Sequence, residues 1–431
     1  MDVIIKGKQR LSGEVCAPPS KAYTHRILIA ALLSSGTTKT LNPLVSDDTQ
    51  ATLRAVTAFG AKVKLQESCW TIRGTVSLKT PKNPIDCGES GATLRFMIPV
   101  AALASEPSMF TLGASLERRP ITPLLQSLKQ LGAEASFQRS EKGSFVKVQG
   151  GGIKGGKTSI RGDVSSQFIS GLLFACPKAR EDTEITLTTP LESRSYVQMT
   201  KEILNKHGVK VFVSKDFGQL SVPSNQVYSP CSHEVPGDFS SAAFLLAAAA
   251  ITSSKVRVKN LDYRTIQGDK AILDILRKMG SKVILNDEYV EVEGKLLNTV
   301  DIDAKDIPDL VPVCAVLACY SRGTSKIYNA KRLKCKESNR LLSLYAELKK
   351  MGAEIVMNKD SLTISGPCAM HGATIDPHND HRIAMACAIA ALSASGKTKI
   401  QNSECVKKSY PAFFDDLRSL GANIVGEQFD R

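Results

Sequence analysis

The sequence predicts an α/β protein of two lobes, with three repeats in each lobe and buried helices surrounded by sheets. Three observations predict it. An amphipathic helix ending at glycine and followed by an apolar strand occurs six times, an alanine-rich helix recurs half a period from each copy, and cations stand at the starts of those alanine-rich helices.

The six copies read LRAVTAFGAKVKL, LQSLKQLGAEASF, TKEILNKHGVKVFV, LDILRKMGSKVIL, YAELKKMGAEIVM and DDLRSLGANIV. Their glycines are Gly60, Gly132, Gly208, Gly280, Gly352 and Gly421, spaced 72, 76, 72, 72 and 69 residues apart. Each glycine stands where a helix end needs a left-handed residue, and the alternation after it suits a half-buried strand. The alanine-rich helices begin near Ser20, Gly91, Ser165, Ser240, Asp309 and Asp380. Alanine on several faces allows packing on all sides, which puts these helices inside. Strand patterns follow several of them, as in TTKTLNPL, SKVRVKNL, TSKIYNA and TKIQNS. A repeat of about 70 residues therefore holds two helices and about four strands.

The 431 residues, 42% of them hydrophobic, are ample for a large core. The most apolar stretch, Ser241 to Thr252, is too short to span a bilayer, and the amino end carries no export pattern. A cytoplasmic protein with no membrane partner is expected. The eleven cysteines form no CxxC pair and read as reduced residues, neither a disulfide framework nor a zinc site. A formal charge of +14 calls for anionic partners. Nucleic acid is not expected among them, because aromatics are 6% of the chain and no Lys/Arg cluster is interleaved with stacking rings.

The candidate site residues sit at helix starts. PPSKAYTHR brings Lys21 and Arg26, CGESGATLR brings Gly91 and Arg95, and ERRPI brings Arg119 before a proline read as opening another helix. VSSQF offers Ser165, Ser166 and Gln167, which taken singly are ordinary caps. DIPDL places Asp309, and KCKESNR sets Lys336, Glu337 and Arg340 at helical spacing, although such a run taken alone reads rather as an exposed salt-bridged turn. NDHR contributes His381 and Arg382, and VKKSYP contributes Lys408.

Two motifs are set aside. GGIKGGKT, Gly151 to Thr158, fits the letter of a P-loop, but no helix follows it directly, so a Gly-rich hairpin is expected and a nucleotide-binding enzyme is the rival class. His378 and His381 in HNDH have no further ligand cluster beside them in the sequence.

In this order and register, PSK…R, GESG…LR, ERRPI, SSQ, the stretch SRSY from Ser193 to Tyr196, IPD, KES-NR, NDHR and KKSYP resemble the enolpyruvyl transferases of the shikimate pathway, on the way to chorismate and the aromatic amino acids. The match runs through nearly the whole chain. The resemblance implies a two-lobed enolpyruvyl transferase fold in which the chain begins in one lobe, builds the other and returns. The expected division is 1–17 plus 238–431 and 18–237, with the ligands in the cleft.

It further implies transfer of the enolpyruvyl (1-carboxyvinyl) group of phosphoenolpyruvate to the 5-hydroxyl of shikimate 3-phosphate without metal or organic cofactor, and a monomer is expected. Carried over by motif, phosphoenolpyruvate would meet Lys21, Gly91, Arg119, Gln167, Arg340, Arg382 and Lys408. Shikimate 3-phosphate would meet Lys21, Arg26, Ser165, Ser166, Gln167, Ser193, Tyr196, Asp309 and Lys336. Asp309, Glu337, Lys21 and His381 form the expected catalytic set, with Asp309 as base at the hydroxyl and Glu337 or Lys21 handling the methylene proton. Three positions depart from the family pattern: Ala22 for Ser, Glu89 for Asn and Ala92 for Thr. Glu89 puts an anion near a phosphate-binding loop, which bears on affinity and on the competitive inhibitor glyphosate. The sister family acting on a uridine-diphosphate amino sugar typically carries a reactive cysteine in the loop that here reads GASLERRPI, Gly113 to Ile121, with none.

Overall fold

The computed structural model describes residues 1–141 and 143–426. The chain divides into two compact units, Met1–Pro18 with Pro236–Arg431, and Pro19–Val235. Each has its own apolar core. Among the described residues there are six sheets, each of four strands, three in either unit. Every sheet has one pattern: an edge strand parallel to its neighbour, then two antiparallel pairings. In the sheet of Ile302–Asp303, Gly323–Tyr328, Leu362–Gly366 and Glu354–Met357 the order is edge to edge as written.

The recurring chain path is strand, buried helix, strand, outer helix and two strands. In the third repeat these are Gly156–Arg161, Ser166–Ala175, Thr183–Thr189, Arg194–Lys206, Phe212–Val213 and Gln219–Val222. Each unit closes on itself. Ser232–Glu234 returns to pair in parallel with Thr37–Leu41 of the first repeat. In the other unit Val3–Lys6 lies between Lys397–Ile400 and Ile424–Gly426, while Ser12–Cys16 forms the parallel edge beside Lys255–Lys259.

The sequence explains which helix goes where. In the helix Phe239–Ile251 every residue from Phe239 to Ala250 is buried, and Val311–Cys319 is buried throughout, because neither has a polar face to give to water. Arg194–Lys206 buries Val197, Thr200 and Leu204, spaced three and four apart, and turns its charges outward. The six glycines that follow the outer helices all have φ between 77° and 110°, the left-handed stop expected of them.

Local differences from the sequence reading have simple causes. Asp309 lies in a short turn, Pro308–Leu310, and the helix proper starts at Val311, since Pro308 and Pro312 limit the bonds available there. Pro120 does not open a helix; Thr122–Gln130 begins two residues later with Pro123 in its first turn. Lys336 to Ser338 form a bend ahead of the helix Arg340–Lys350, which Asn339 caps. The glycines at 151–156 are not a hairpin but a connection between sheets: Gly143–Val148 pairs with Ala135–Ser140, and Gly156–Arg161 pairs with Thr183–Thr189. The motif runs into the strand Gly156–Arg161, which begins inside it, where a P-loop needs a helix, and this removes the P-loop reading.

Candidate active site

In the unit Pro19–Val235 three buried helices begin side by side. They are Lys21–Leu33, Gly91–Ala101 and Ser166–Ala175, capped by Ser20, Ser90 and Ser165. Polar contacts tie their first turns together: His25 meets Thr52 at 2.7 Å, Thr52 meets Thr93 at 2.6 Å, and Arg95 Nη1 donates to Gln167 Oε1 at 2.8 Å. Helix starts carry unpaired N–H groups and positive dipole ends, so three together favour an anion.

Cations stand around them. Lys21 Nζ pairs with Asp48 at 2.9 Å. A Cβ added at Gly91 would lie 3.1 Å from Arg119 Nη1, 3.4 Å from Arg95 Nη1 and 3.5 Å from Gln167 Oε1, so two guanidiniums and an amide converge on that bare backbone. Arg119 is 8% exposed and donates to Ser115 Oγ at 3.0 Å. Glu89 does not face this cluster with a free charge. Its carboxylate accepts from the backbone of Ser115 at 3.2 Å and of Leu116 at 2.9 Å, as well as from the Ser115 hydroxyl, so it anchors the turn that carries Arg119.

Arg26 is enclosed. It donates to Thr200 Oγ1 at 2.9 Å, Ala22 O at 2.8 Å and Tyr196 O at 3.0 Å, and stacks on Phe96 and Tyr196. Burial pushes its pKa down to about 10, so it remains charged at neutral pH. Two of these bonds, to Thr200 and Tyr196, hold the helix that presents Tyr196, and the third stays within the helix of Arg26 itself. Ser193, just ahead of that helix, has φ 56° and ψ 49°, a left-handed conformation that costs a serine about 1 kcal/mol.

In the other unit one arginine links three helix starts. Arg382 Nη1 reaches Ser240 O at 3.3 Å and Asp309 O at 3.4 Å from the first turn of His381–Ser393, and its Nη2 lies 3.4 Å from Asp309 Oδ2. Asp309 Oδ1 also accepts from Arg340 Nη1 at 2.7 Å and Lys336 Nζ at 3.3 Å. Burial raises the Asp309 pKa, but Arg382, Lys336 and Arg340 outweigh it and hold the carboxyl well below the usual range. Arg340 is not presented bare. It is 1% exposed and bonded to Asp309, to Glu337 at 2.6 Å and to Asp380 at 2.8 Å. Lys408 donates to Asn379 O at 2.6 Å, and His381 is buried 3.9 Å from Asp380.

Of the residues that the sequence marks in this unit, Asp309, Lys336, Glu337, Arg340 and Arg382 meet directly, while His381 lies beside Asp380 and Lys408 reaches Asn379. Sequence reasoning missed the acids that hold them. Asp48, Asp269 and Asp380 each come from a different repeat, and Ser115 lies one turn before Arg119. Asp269 accepts a bond from the Ser240 hydroxyl, and burial followed by the nearby Asp309 charge pushes its pKa up to about 7. The Asp380 signal was present: an N-cap aspartate immediately before His381. His378 bonds Glu347 at 3.0 Å, and among the described residues neither His378 nor His381 belongs to a cluster of three metal-capable side chains.

A family model described as EPSP synthase (3-phosphoshikimate 1-carboxyvinyltransferase) matches residues 5–417. A 3-phosphoshikimate 1-carboxyvinyltransferase of Methanocaldococcus jannaschii is 42% identical over 98% of this chain and 99% of its own length. One of Methanocella arvoryzae is 44% identical over 97% and 98%. Among solved structures, EPSP synthase from Acinetobacter baumannii is similar with a TM-score of 0.81 at 27% identity, covering 98% of this chain and 99% of that one. The enolpyruvyl transferase NikO from Streptomyces tendae shares the fold with a TM-score of 0.77 at 19% identity, over 98% of both chains. The chain belongs to the EPSP synthase (3-phosphoshikimate 1-carboxyvinyltransferase) family.

Proposed function

We propose that the cations gathered at helix starts in each unit hold phosphoenolpyruvate and shikimate 3-phosphate for the transferase reaction of this family. The enzyme moves the 1-carboxyvinyl group of phosphoenolpyruvate to the 5-hydroxyl of shikimate 3-phosphate and releases phosphate. The observation that carries the site assignment is the convergence of Arg119, Arg95 and Gln167 on Gly91. Two polyanions repel by about 3 kcal/mol for each pair of charges ~5 Å apart at an effective dielectric of ~20, and a single cation does not offset several such pairs. Planar guanidiniums suit carboxylate and phosphate, and lysines serve as point charges.

Phosphoenolpyruvate is assigned to Lys21, Gly91, Arg119, Gln167, Arg340, Arg382 and Lys408. Shikimate 3-phosphate is assigned to Lys21, Arg26, Ser165, Ser166, Gln167, Ser193, Tyr196, Asp309 and Lys336. Because Arg340 is saturated by three carboxylates, its Nη2 edge takes the substrate carboxylate by exchanging Glu337, and this frees Glu337 to act. Asp309, held ionised by its cations, accepts a proton and is not a donor. Glu337 or Lys21 gives a proton to the methylene carbon of phosphoenolpyruvate, the 5-hydroxyl adds to the adjacent carbon while Asp309 takes its proton, and a tetrahedral adduct forms. Glu337 or Lys21 then removes a methyl proton as phosphate leaves. His381, buried beside Asp380, is assigned to positioning that acid.

The test is phosphate release from phosphoenolpyruvate with shikimate 3-phosphate or a uridine-diphosphate amino sugar as acceptor. Release with shikimate 3-phosphate alone is expected. Release with the amino sugar instead would move the chain to the sister activity.

A further inference from the structure

Away from the helix starts, in the unit Pro19–Val235, three potential metal ligands face one another. His207 Nε2 lies 2.9 Å from His233 Nε2, and Cys231 Sγ lies 3.0 Å from His233 Nε2. All three ligand atoms fall within 4.8 Å of each other. His207 and His233 are buried and stacked, with ring centroids 5.0 Å apart, while Cys231 is partly exposed.

The hydrogen bonds fix where the His207 proton sits. Nδ1 is 2.7 Å from the Ser229 carbonyl, which only accepts, so Nδ1 carries the hydrogen. Ser34 Oγ, 2.9 Å from the same nitrogen, gives its own hydrogen to Ala30 O at 2.8 Å and agrees with that tautomer. His207 Nε2 therefore points a lone pair at His233. A hydrogen on His233 Nε2 can serve His207 or Cys231 but not both, and His233 Nδ1 is buried with no partner among the described residues. Hydrogen bonding leaves this cluster incompletely satisfied, and such a buried group calls for an explanation.

We propose that His207, Cys231 and His233 form a zinc site with a fourth position open to water. Two imidazoles and a thiolate suit a thiophilic divalent ion. Zinc bonds of about 2.1 Å to nitrogen and about 2.3 Å to sulfur, arranged tetrahedrally, require ligand atoms roughly 3.4 to 3.6 Å apart, so the two short contacts must open by about 0.5 Å. On binding, the thiol proton leaves to solvent and both imidazoles coordinate through Nε2, which leaves one positive charge on the centre. Lys206, whose charge bears on Cys231 and His233, is itself paired with Glu202 at 3.3 Å.

The site has a structural purpose. His233 lies on the return strand Ser232–Glu234, His207 ends the helix Arg194–Lys206, and Ser34 caps the helix Lys21–Leu33. An ion here ties the last strand of the unit to the outer helix of its third repeat, whose His207 also meets Ser34 of the first repeat. The sequence pattern is Cys-x-His with a remote histidine, and so a search for paired cysteines passed over it.

The test uses the full chain, stripped with a chelator and titrated with zinc against a chromophoric competitor, together with the variant C231S. One zinc per wild-type chain is expected, with binding at least about tenfold weaker in C231S. Cobalt(II) in the wild type is expected to show a thiolate charge-transfer band that C231S lacks. Folded wild-type protein without saturable zinc binding overturns the proposal. So does a C231S protein that keeps both zinc and the cobalt band, since exposed Cys16 or Cys335 would then be responsible. If C231S does not fold, the wild-type cobalt spectrum decides alone, and absence of the band overturns the proposal.

Discussion

Arg340 shows how a residue is set by its surroundings. Three carboxylates from Asp309, Glu337 and Asp380 share one buried guanidinium, which holds the acids close together. Glu337 holds only one edge of it, so Glu337→Gln is expected to keep substrate affinity while turnover falls by about two orders of magnitude. Steady-state kinetics with a separate binding titration checks this, and near-normal turnover would remove Glu337 from the chemistry. At Gly91 a methyl group would press on the guanidiniums of Arg119 and Arg95. Gly91→Ala is therefore expected to raise KM for phosphoenolpyruvate about tenfold, ~1.4 kcal/mol. Its melting temperature is expected to hold or rise, because alanine is the better helix residue.

Asp269 adds a pH dependence with a definite sign. Its pKa is raised in the fold, so the folded chain holds a proton that the unfolded chain releases, and stability falls as pH rises from near 3.8 through about 7. The Asp309 shift has the opposite sign and removes stability only below the ordinary carboxylate range. Asp269→Asn is expected to flatten the loss of melting temperature between about pH 5 and about pH 8. Thermal melts of both proteins at the two pH values check it, and an equal loss in both would count against the assignment.

At the scale of elements, a recurring local conformation separates what is legible from what is not. Asn42, Asn260, Asn329 and Asn402 all take φ between 46° and 62° at the ends of equivalent strands, and they appear in the sequence as the Asn of NPL, NL, NA and NS. Like the helix-stopping glycines, they are readable because the preference is local. Ser193 holds the same left-handed geometry in a third-repeat turn, where no sequence rule calls for it. Ser193→Gly is expected to leave stability unchanged within about 1 kcal/mol, the strain and the added chain entropy offsetting. KM for shikimate 3-phosphate is expected to rise as the hydroxyl is lost. A normal KM would separate Ser193 from that substrate.

For the whole molecule, closure of each unit has opposite consequences for the two segments of chain. The unit Pro19–Val235 is continuous, with all three of its sheets completed from within. The other unit needs Val3 and Ile5, fully buried in the middle of one sheet, and Ser12–Cys16 at the edge of another. Residues 19–235 are expected to fold alone with a cooperative melt, whereas 236–431 without 1–18 are not. Circular dichroism and thermal denaturation of the two fragments check this.

The repeat, the inside and outside helices and the cations at helix starts were all readable along the chain, since periodicity, capping and composition act over a few residues. Partnership was not. Asp48 opposite Lys21, Glu89 turned onto the Ser115 backbone, Asp380 bridging to Arg340 and Cys231 beside two histidines each pair residues distant in the sequence or turned by a loop. A carboxylate in a string of letters has no direction. Packing supplies the direction, because a buried charge or polar atom must find its partner wherever the folded chain brings one.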